Sequence, residues 1–251
     1  MIARKSREEI ALMRRAGRVV AEMHAECTRV ARPGVTTLEV DRAARQVLER
    51  RHATSNFLGY GSPPFPGVIC ASPNEVVVHG IPDGTVLVEG DILSIDCGAI
   101  IEGWHADAAV TVPIGEIDDA SKRLLETTRH SLDAAIEQLV EGNRLGEVGT
   151  AVEKVAIDGG FSVVREYVGH GIGTAMHEEP QIPNYAGGPN ARLELRNGLV
   201  VAIEPMVNAG GPDTATLSDR WTVVTADGSR SAHFEHTIAI TADGPQVLTV
   251  A

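Results

Sequence analysis

Asp96, Asp107, His170, Glu204 and Glu235 are the residues of this chain whose types and spacing point to chemistry. Asp96 closes the apolar run Ile92-Leu93-Ser94-Ile95, and Glu204 closes Leu199-Val200-Val201-Ala202-Ile203. A carboxylate at the end of a buried strand is costly unless something cationic neutralises it. Asp96 and Asp107 are 11 residues apart across a turn at Glu102-Gly103, a hairpin length that can set both side by side on neighbouring strands. Glu204 and Glu235 are 31 apart, and both close β-type runs. His170 lies in Gly169-His170-Gly171-Ile172-Gly173, where flanking glycines let backbone approach a ligand closely. Any one of these acids alone reads as a surface or capping group. Two matched pairs and a histidine read as a site. Converging in one place, four carboxylates and an imidazole would repel each other without metal; with two divalent ions they make a hydrolytic centre.

A faint internal repeat supplies the frame. At an offset of 108 residues Gly34 matches Gly142, Gly90 matches Gly198, and Asp96 matches Glu204. Val40, Ala43, Ala44 and Val47 match Val148, Ala151, Val152 and Val155 at helical spacing. Each half reads as helix, glycine break, helix, strands. The first helix starts at Ser6, with Glu9 completing a capping box, and its counterpart starts near Asp118-Asp119. Strands are expected over 75–79, 92–95, 108–112, 162–168, 199–203, 221–225 and 237–240, where β-branched runs end in Gly, Asp or Pro turns. The longest irregular stretches, 59–67 and 177–190, are Pro- and Gly-rich and suit substrate walls. No linker or low-complexity tract separates the halves. The expectation is one domain over 1–251, with the site between two pseudo-symmetric halves.

The net charge of -12 argues against a partner bound through phosphate neutralisation, and the low aromatic content against a base-stacking surface. The N-terminus lacks the apolar core of a secretory signal, and no stretch is long and apolar enough to span a bilayer. Cys27, Cys70 and Cys97 are odd in number and unrelated in spacing, supporting neither a zinc ribbon nor a disulfide framework. The reducing cytoplasm is the expected compartment.

The segments Asn74-Glu75-Val76-Val77-Val78-His79-Gly80-Ile81-Pro82, Ser94-Ile95-Asp96, Trp104-His105-Ala106-Asp107, Gly169-His170-Gly171-Ile172-Gly173, Met176-His177-Glu178-Glu179-Pro180, Ile203-Glu204-Pro205-Met206 and Phe234-Glu235-His236-Thr237 resemble the type I methionine aminopeptidases over nearly the whole chain. The resemblance implies the pita-bread α/β fold, two pseudo-twofold halves with a curved antiparallel sheet and flanking helices. It implies a dinuclear site for Co, Mn, Fe or Zn. Asp107, His170 and Glu204 would hold one ion and Asp96 the other, with Asp107 and Glu235 shared. It implies Glu204 as general base, His177 as hydrogen-bond donor to the developing oxyanion, and His79 beside the scissile nitrogen. Tyr60, Phe65, Cys70, His79, Met176 and Trp221 would line the methionine pocket. A structural Na or K ion would sit near Asn74, Val76 and Ser231. The implied partners are peptide and nascent-protein N-termini, with the ribosome nearby, no specific nucleic acid and no membrane. The implied state is a monomer. The family's preference for a small second residue implies that Met1 stays on, because Ile2 is bulky.

Two departures stand out. The loop Gly61-Ser62-Pro63-Pro64-Phe65-Pro66 is one residue longer and richer in proline than the family pattern, and Ala108-Ala109 replaces the hydroxyl residues that often follow the second aspartate. Bonds from those hydroxyls to a ligand would be missing. The alternatives are an Xaa-Pro peptidase of the same fold, which usually carries an extra N-terminal domain, and a metal-free binding protein on this scaffold. The latter would be expected to have lost ligands. A type II enzyme needs an insertion for which the interval from Glu204 to Glu235 is too short.

Overall fold

The computed structural model describes residues 2–251. Helix α1 (Arg7–Val30) starts where Ser6 and Glu9 exchange the reciprocal bonds of a capping box, and α2 (Thr37–Arg51) repeats the device with Thr36 and Glu39. The short β1 (Thr54–Ser55), β2 (Ile69–Pro73) and β3 (Val76–Val78) lead to two ten-residue strands, β4 (Ile92–Ile101) and β5 (Trp104–Pro113). The second half opens with α3 (Asp119–Gln138), capped by Asp118, and α4 (Leu145–Asp158). Then come β6 (Ser162–Val163), β7 (Gly169–Gly171), β8 (Glu178–Ile182), β9 (Val200–Ile203), β10 (Met206–Asn208) and β11 (Thr214–Thr216). The chain closes with β12 (Val223–Thr225), β13 (Ser231–His233), β14 (His236–Thr241) and β15 (Gly244–Val247).

All the strand pairings are antiparallel. One sheet runs β1-β4-β2 with β5 paired to β4, and a second runs β15-β14-β9-β7-β8. The apolar stripe of α1 and α2 (Val20, Met23, Val40, Val47) packs on Leu93, Ile95 and Ala108 of the first. The stripe of α3 and α4 (Leu124, Leu132, Val148, Val152) packs on Val201, Ile203 and Ile238 of the second. The repeat-matched glycines share one backbone state, with φ +90° at Gly34 and +94° at Gly142, and +93° at Gly90 and +88° at Gly198. These left-handed turns strain any side chain, so the glycine repeat is a repeat of turns.

The two sheets meet at one seam. Ala109 and Glu235 exchange backbone hydrogen bonds (3.3 and 2.9 Å) between β5 and the residue preceding β14. On one side of this rung the Thr237 hydroxyl accepts from Asp107 N–H (3.1 Å) and donates to Asp107 O (2.8 Å). On the other side the Thr111 hydroxyl does the same for His233, accepting at 2.8 Å and donating at 2.8 Å. Two threonines therefore stand in for the missing rungs of a ladder, related by local twofold symmetry.

Several expected boundaries shift. Asp96 is interior to β4, which runs on to Ile101, and β5 begins four residues before the expected 108. Gly98, inside β4, is a close-packing position, because a Cβ there would lie 2.7 Å from Asn56 Cβ. Of 162–168 only Ser162–Val163 is strand. The stretch 177–190 is not irregular throughout, since β8 occupies its start as a sheet edge, the position where a strand tolerates Pro180.

Candidate active site and metal centre

Strand register places each carboxylate. Asp96 pairs with Ala109 and Asp107 with Gly98, so the two aspartates are diagonal neighbours on one face of the hairpin. The tight turn that fixes this register has φ +51° at Glu102 and +81° at Gly103, the double-positive pattern of a two-residue hairpin loop. In the other sheet His236 pairs with Ile203, so Glu204 and Glu235 occupy the position of the next rung. His170 pairs with Ala202, which puts it diagonal to Glu204.

Ligand atoms of Asp107, His170 and Glu235 lie within 4.8 Å of one another. His170 Nε2 is 3.6 Å from a Glu204 oxygen and 3.8 Å from Asp107 Oδ2. Asp96 stands apart from this group, lines the same cavity, and has an Oδ1 that is buried without a partner. Burial, with repulsion from neighbouring carboxylates, pushes Asp96, Glu204 and Glu235 well above the usual carboxylate range. Burial raises Asp107 to about 7, against the pull of His177 and the Thr237 hydroxyl. Among the described residues no Lys or Arg lines the cavity. A buried orphan oxygen, four crowded acids and one imidazole without a cationic side chain form a donor set that fits divalent metal.

The cavity holds about 180 Å³ and is lined by Tyr60, Phe65, Cys70, His79, Met176, His177 and Trp221 as well as all five ligand candidates. Phe57, Phe65, Cys70 and Met176 pack as one apolar cluster with Trp221 against it. Trp221 is fixed edge-on to Phe65 at 5.2 Å, and its Nε1 donates to Pro63 O at 2.9 Å. The proline-rich loop thus holds the tryptophan. His79 adopts φ +59°, an uncommon state for a side-chain-bearing residue, and its ring meets Tyr167 and Trp221 edge-on. Burial lowers His79 to about 4 and lowers His177 and His170 as well, so all three are neutral near pH 7. The Tyr60 hydroxyl lies 2.8 Å from His177 Nδ1. A phenol donating there leaves the ring proton on Nε2.

This arrangement matches known proteins along its full length. The model of metallopeptidase family M24 matches residues 11–242. Methionine aminopeptidase 1 of Bacillus subtilis (strain 168) is 49% identical over 249 residues, covering 99% of each chain. The chain belongs to family M24, among its methionine aminopeptidases. A crystal structure of the methionine aminopeptidase from Thermotoga maritima superposes with a TM-score of 0.96 at 42% identity, covering all of both chains. The prolidase from Pyrococcus furiosus, at 19% identity and a TM-score of 0.80 over 65% of its length, shares the fold alone. The fold is the pita-bread fold of these metallopeptidases.

Residues that the sequence did not single out complete the site. Phe57, Tyr167 and Val168 line the cavity. Thr237 supplies the hydroxyl beside Asp107 that Ala108 and Ala109 cannot. Only its place next to the Glu235-His236 pair marks it in the sequence, and nothing in the sequence shows which strand it faces. Away from the cavity, Ser231 N–H donates to Asn74 O (2.9 Å), while the Asn74 side chain is engaged by Asp91 and Ile92. Buried Asn208 Oδ1, one rung across from Ser231, has no partner.

Proposed function

We propose that this methionine aminopeptidase removes the N-terminal methionine from peptides and nascent proteins with a small second residue, and that residues 1–251 act as one catalytic unit. One observation carries the reading: an apolar socket of Phe57, Phe65, Cys70, Met176 and Trp221 opens onto the acid and histidine cluster within a single small cavity. At about 180 Å³ it lies below the ~300–1,000 Å³ of pockets for larger ligands and suits one side chain.

Asp107, His170 and Glu204 would hold one divalent ion and Asp96 the second, with Asp107 and Glu235 shared. Bound ions supply Lewis acidity toward an amide carbonyl and ease the ionisation of water. Burial and neighbouring acids raise the Glu204 carboxyl in the absence of metal; held ionised by a bound cation, it would take the proton of the attacking water and pass it to the leaving amine. His177, with its Nε2–H turned to the cavity, donates to the carbonyl oxygen as charge develops. His79 faces the scissile nitrogen, and the socket excludes water around the methionine thioether. A monovalent cation held near Asn74, Val76 and Ser231 would brace the seam, and the orphan Asn208 oxygen supports it. We place the enzyme in the cytoplasm as a monomer. Its first 51 residues carry twelve Lys and Arg against seven Asp and Glu in a chain of net charge -12, which supports the α1/α2 face as the side turned to an anionic ribosome surface.

The test is hydrolysis of Met-Ala-Ser, Met-Pro-Ala and Leu-Ala-Ser after chelation and after Mn²⁺ or Co²⁺ is restored. Metal-dependent release of methionine alone is expected. Silence on all three would point to a binding protein, and equal release of leucine to a misread pocket.

A further inference from the structure

Residues 172–177 join β7 to β8 and carry both Met176, on the apolar wall, and His177. Glu178 folds this turn. Its Oε1 accepts the N–H groups of Thr174 (2.9 Å) and Ala175 (3.3 Å), and its Oε2 is held by Lys5 Nζ at 2.6 Å. The Lys5 side chain is only 4% exposed, a rare position for an ammonium. Lys5 precedes α1 and is anchored by its own N–H on Gly198 O (2.6 Å). Its stem crosses Gly173 so closely that a Cβ there would lie 2.5 Å from Lys5 Cε. From the far side of the same turn, Gly173 O accepts the N–H of His105 in β5 (2.9 Å). The reaction outlined above uses neither Lys5 nor Glu178.

We propose that Lys5 and Glu178 are positioning residues: their buried ion pair holds the turn over 173–177 and so aims His177, making the segment before α1 part of the catalytic scaffold. The inference rests on the reading of His177 given above. Without the ammonium, the Glu178 carboxylate, 17% exposed, turns toward water and releases the two N–H groups that shape the turn. Breaking one side of a buried pair leaves the partner charge uncompensated. The exposed Arg15–Glu102 pair (52% and 58%) lacks that property and serves as the control.

The experiment compares Lys5→Met, Lys5→Met/Glu178→Gln, His177→Ala and Lys5→Met/His177→Ala with the parent and Arg15→Met, in steady-state hydrolysis of Met-Ala-Ser by the full chain with Mn²⁺. Lys5→Met is expected to lower kcat roughly ten- to a hundredfold with KM within about twofold. The second substitution, Glu178→Gln, should restore part of the loss, because a neutral amide has less drive to leave for water. In the His177→Ala background, Lys5→Met should cost nothing further. If Lys5→Met lowers the yield of folded protein, Glu178→Gln with Lys5 intact supplies the same comparison. Normal kcat in the Lys5 variant beside an impaired His177→Ala overturns this proposal alone. So does a Lys5 loss that persists in full without His177. Normal kcat in His177→Ala overturns the proposal together with the role of His177.

Discussion

Thr237→Val isolates what the seam between the sheets does for the metal site. The replacement keeps the shape of a side chain that is fully buried and removes only the hydroxyl. Asp107 N–H and C=O, now bonded at 3.1 and 2.8 Å, would have no other partner at the seam. An unsatisfied buried donor or acceptor costs ~1–3 kcal/mol, so the pair predicts a loss of about 2–6 kcal/mol, a large part of the ~5–15 kcal/mol typical of whole domains. Freed from that clamp, Asp107 presents its carboxylate less rigidly, and loss of a group that orients a ligand costs ~10–100-fold in metal affinity. Urea unfolding of chelated protein should show a lower midpoint at unchanged slope, and calorimetric titration with Mn²⁺ should show the weaker binding. Thr111→Val removes the matching hydroxyl on the other side of the seam, where it serves His233. It should lose comparable stability with much less effect on metal affinity. Parental stability and affinity in Thr237→Val would refute the reasoning, and equal affinity losses in both variants would show that the seam acts only through general stability.

Three further outcomes follow from the site. Glu204→Gln should replace an acid that burial already keeps protonated without metal and leave the chelated protein about as stable as the parent, while kcat falls ~10²–10⁴-fold through loss of the base; a near-normal rate would refute the role of Glu204. Tyr60→Phe should keep the pocket wall and lose the bond to His177 Nδ1; with ~1 kcal/mol of orientation removed, kcat should drop several-fold at constant KM, and a change confined to KM would assign Tyr60 to binding alone. In metal-free protein, Asp107 is raised to about 7 from about 4 in an unfolded chain. The folded state therefore holds a proton that the unfolded chain has released. The stability from this group is complete below about pH 4 and is lost as pH rises through 7. Buried neutral His24, His79 and His233, lowered to about 4, 4 and 3, push the other way until about pH 6.5. The net decline should emerge between about pH 6.5 and 8 and vanish with saturating Mn²⁺; a melting temperature that rises across this interval would contradict the raised carboxyl.

What the sequence discloses is mainly local. Ser6 with Glu9, Asp118, and the Glu102-Gly103 turn are each set by neighbours within a few residues, and each forms as expected. The 108-residue repeat was readable because left-handed glycine turns tolerate little else. The strand limits were harder. Gly98 continues β4 because Asn56 lies against it, and Pro180 sits in β8 because that strand is an edge; both reasons come from distant residues. The carboxylates announced themselves by ending or interrupting apolar runs, whereas their supports did not. Thr237 on Asp107 and Lys5 on Glu178 join residues 130 and 173 apart, and nothing in the order of the chain couples them.

The seam also fixes when a newly made molecule becomes active. Leu248 N–H bonds Thr237 O (2.9 Å), and Gly17 has no side chain because the Leu248 carbonyl occupies that space under α1. During synthesis the first helix and the β4–β5 hairpin emerge with one face of the site. They wait for β14 and Leu248, which emerge only after α3 and α4, before Glu235 and Thr237 can dock. The first half of the chain therefore cannot form the metal site alone, and this methionine aminopeptidase stays inert until β14 has been made and docked.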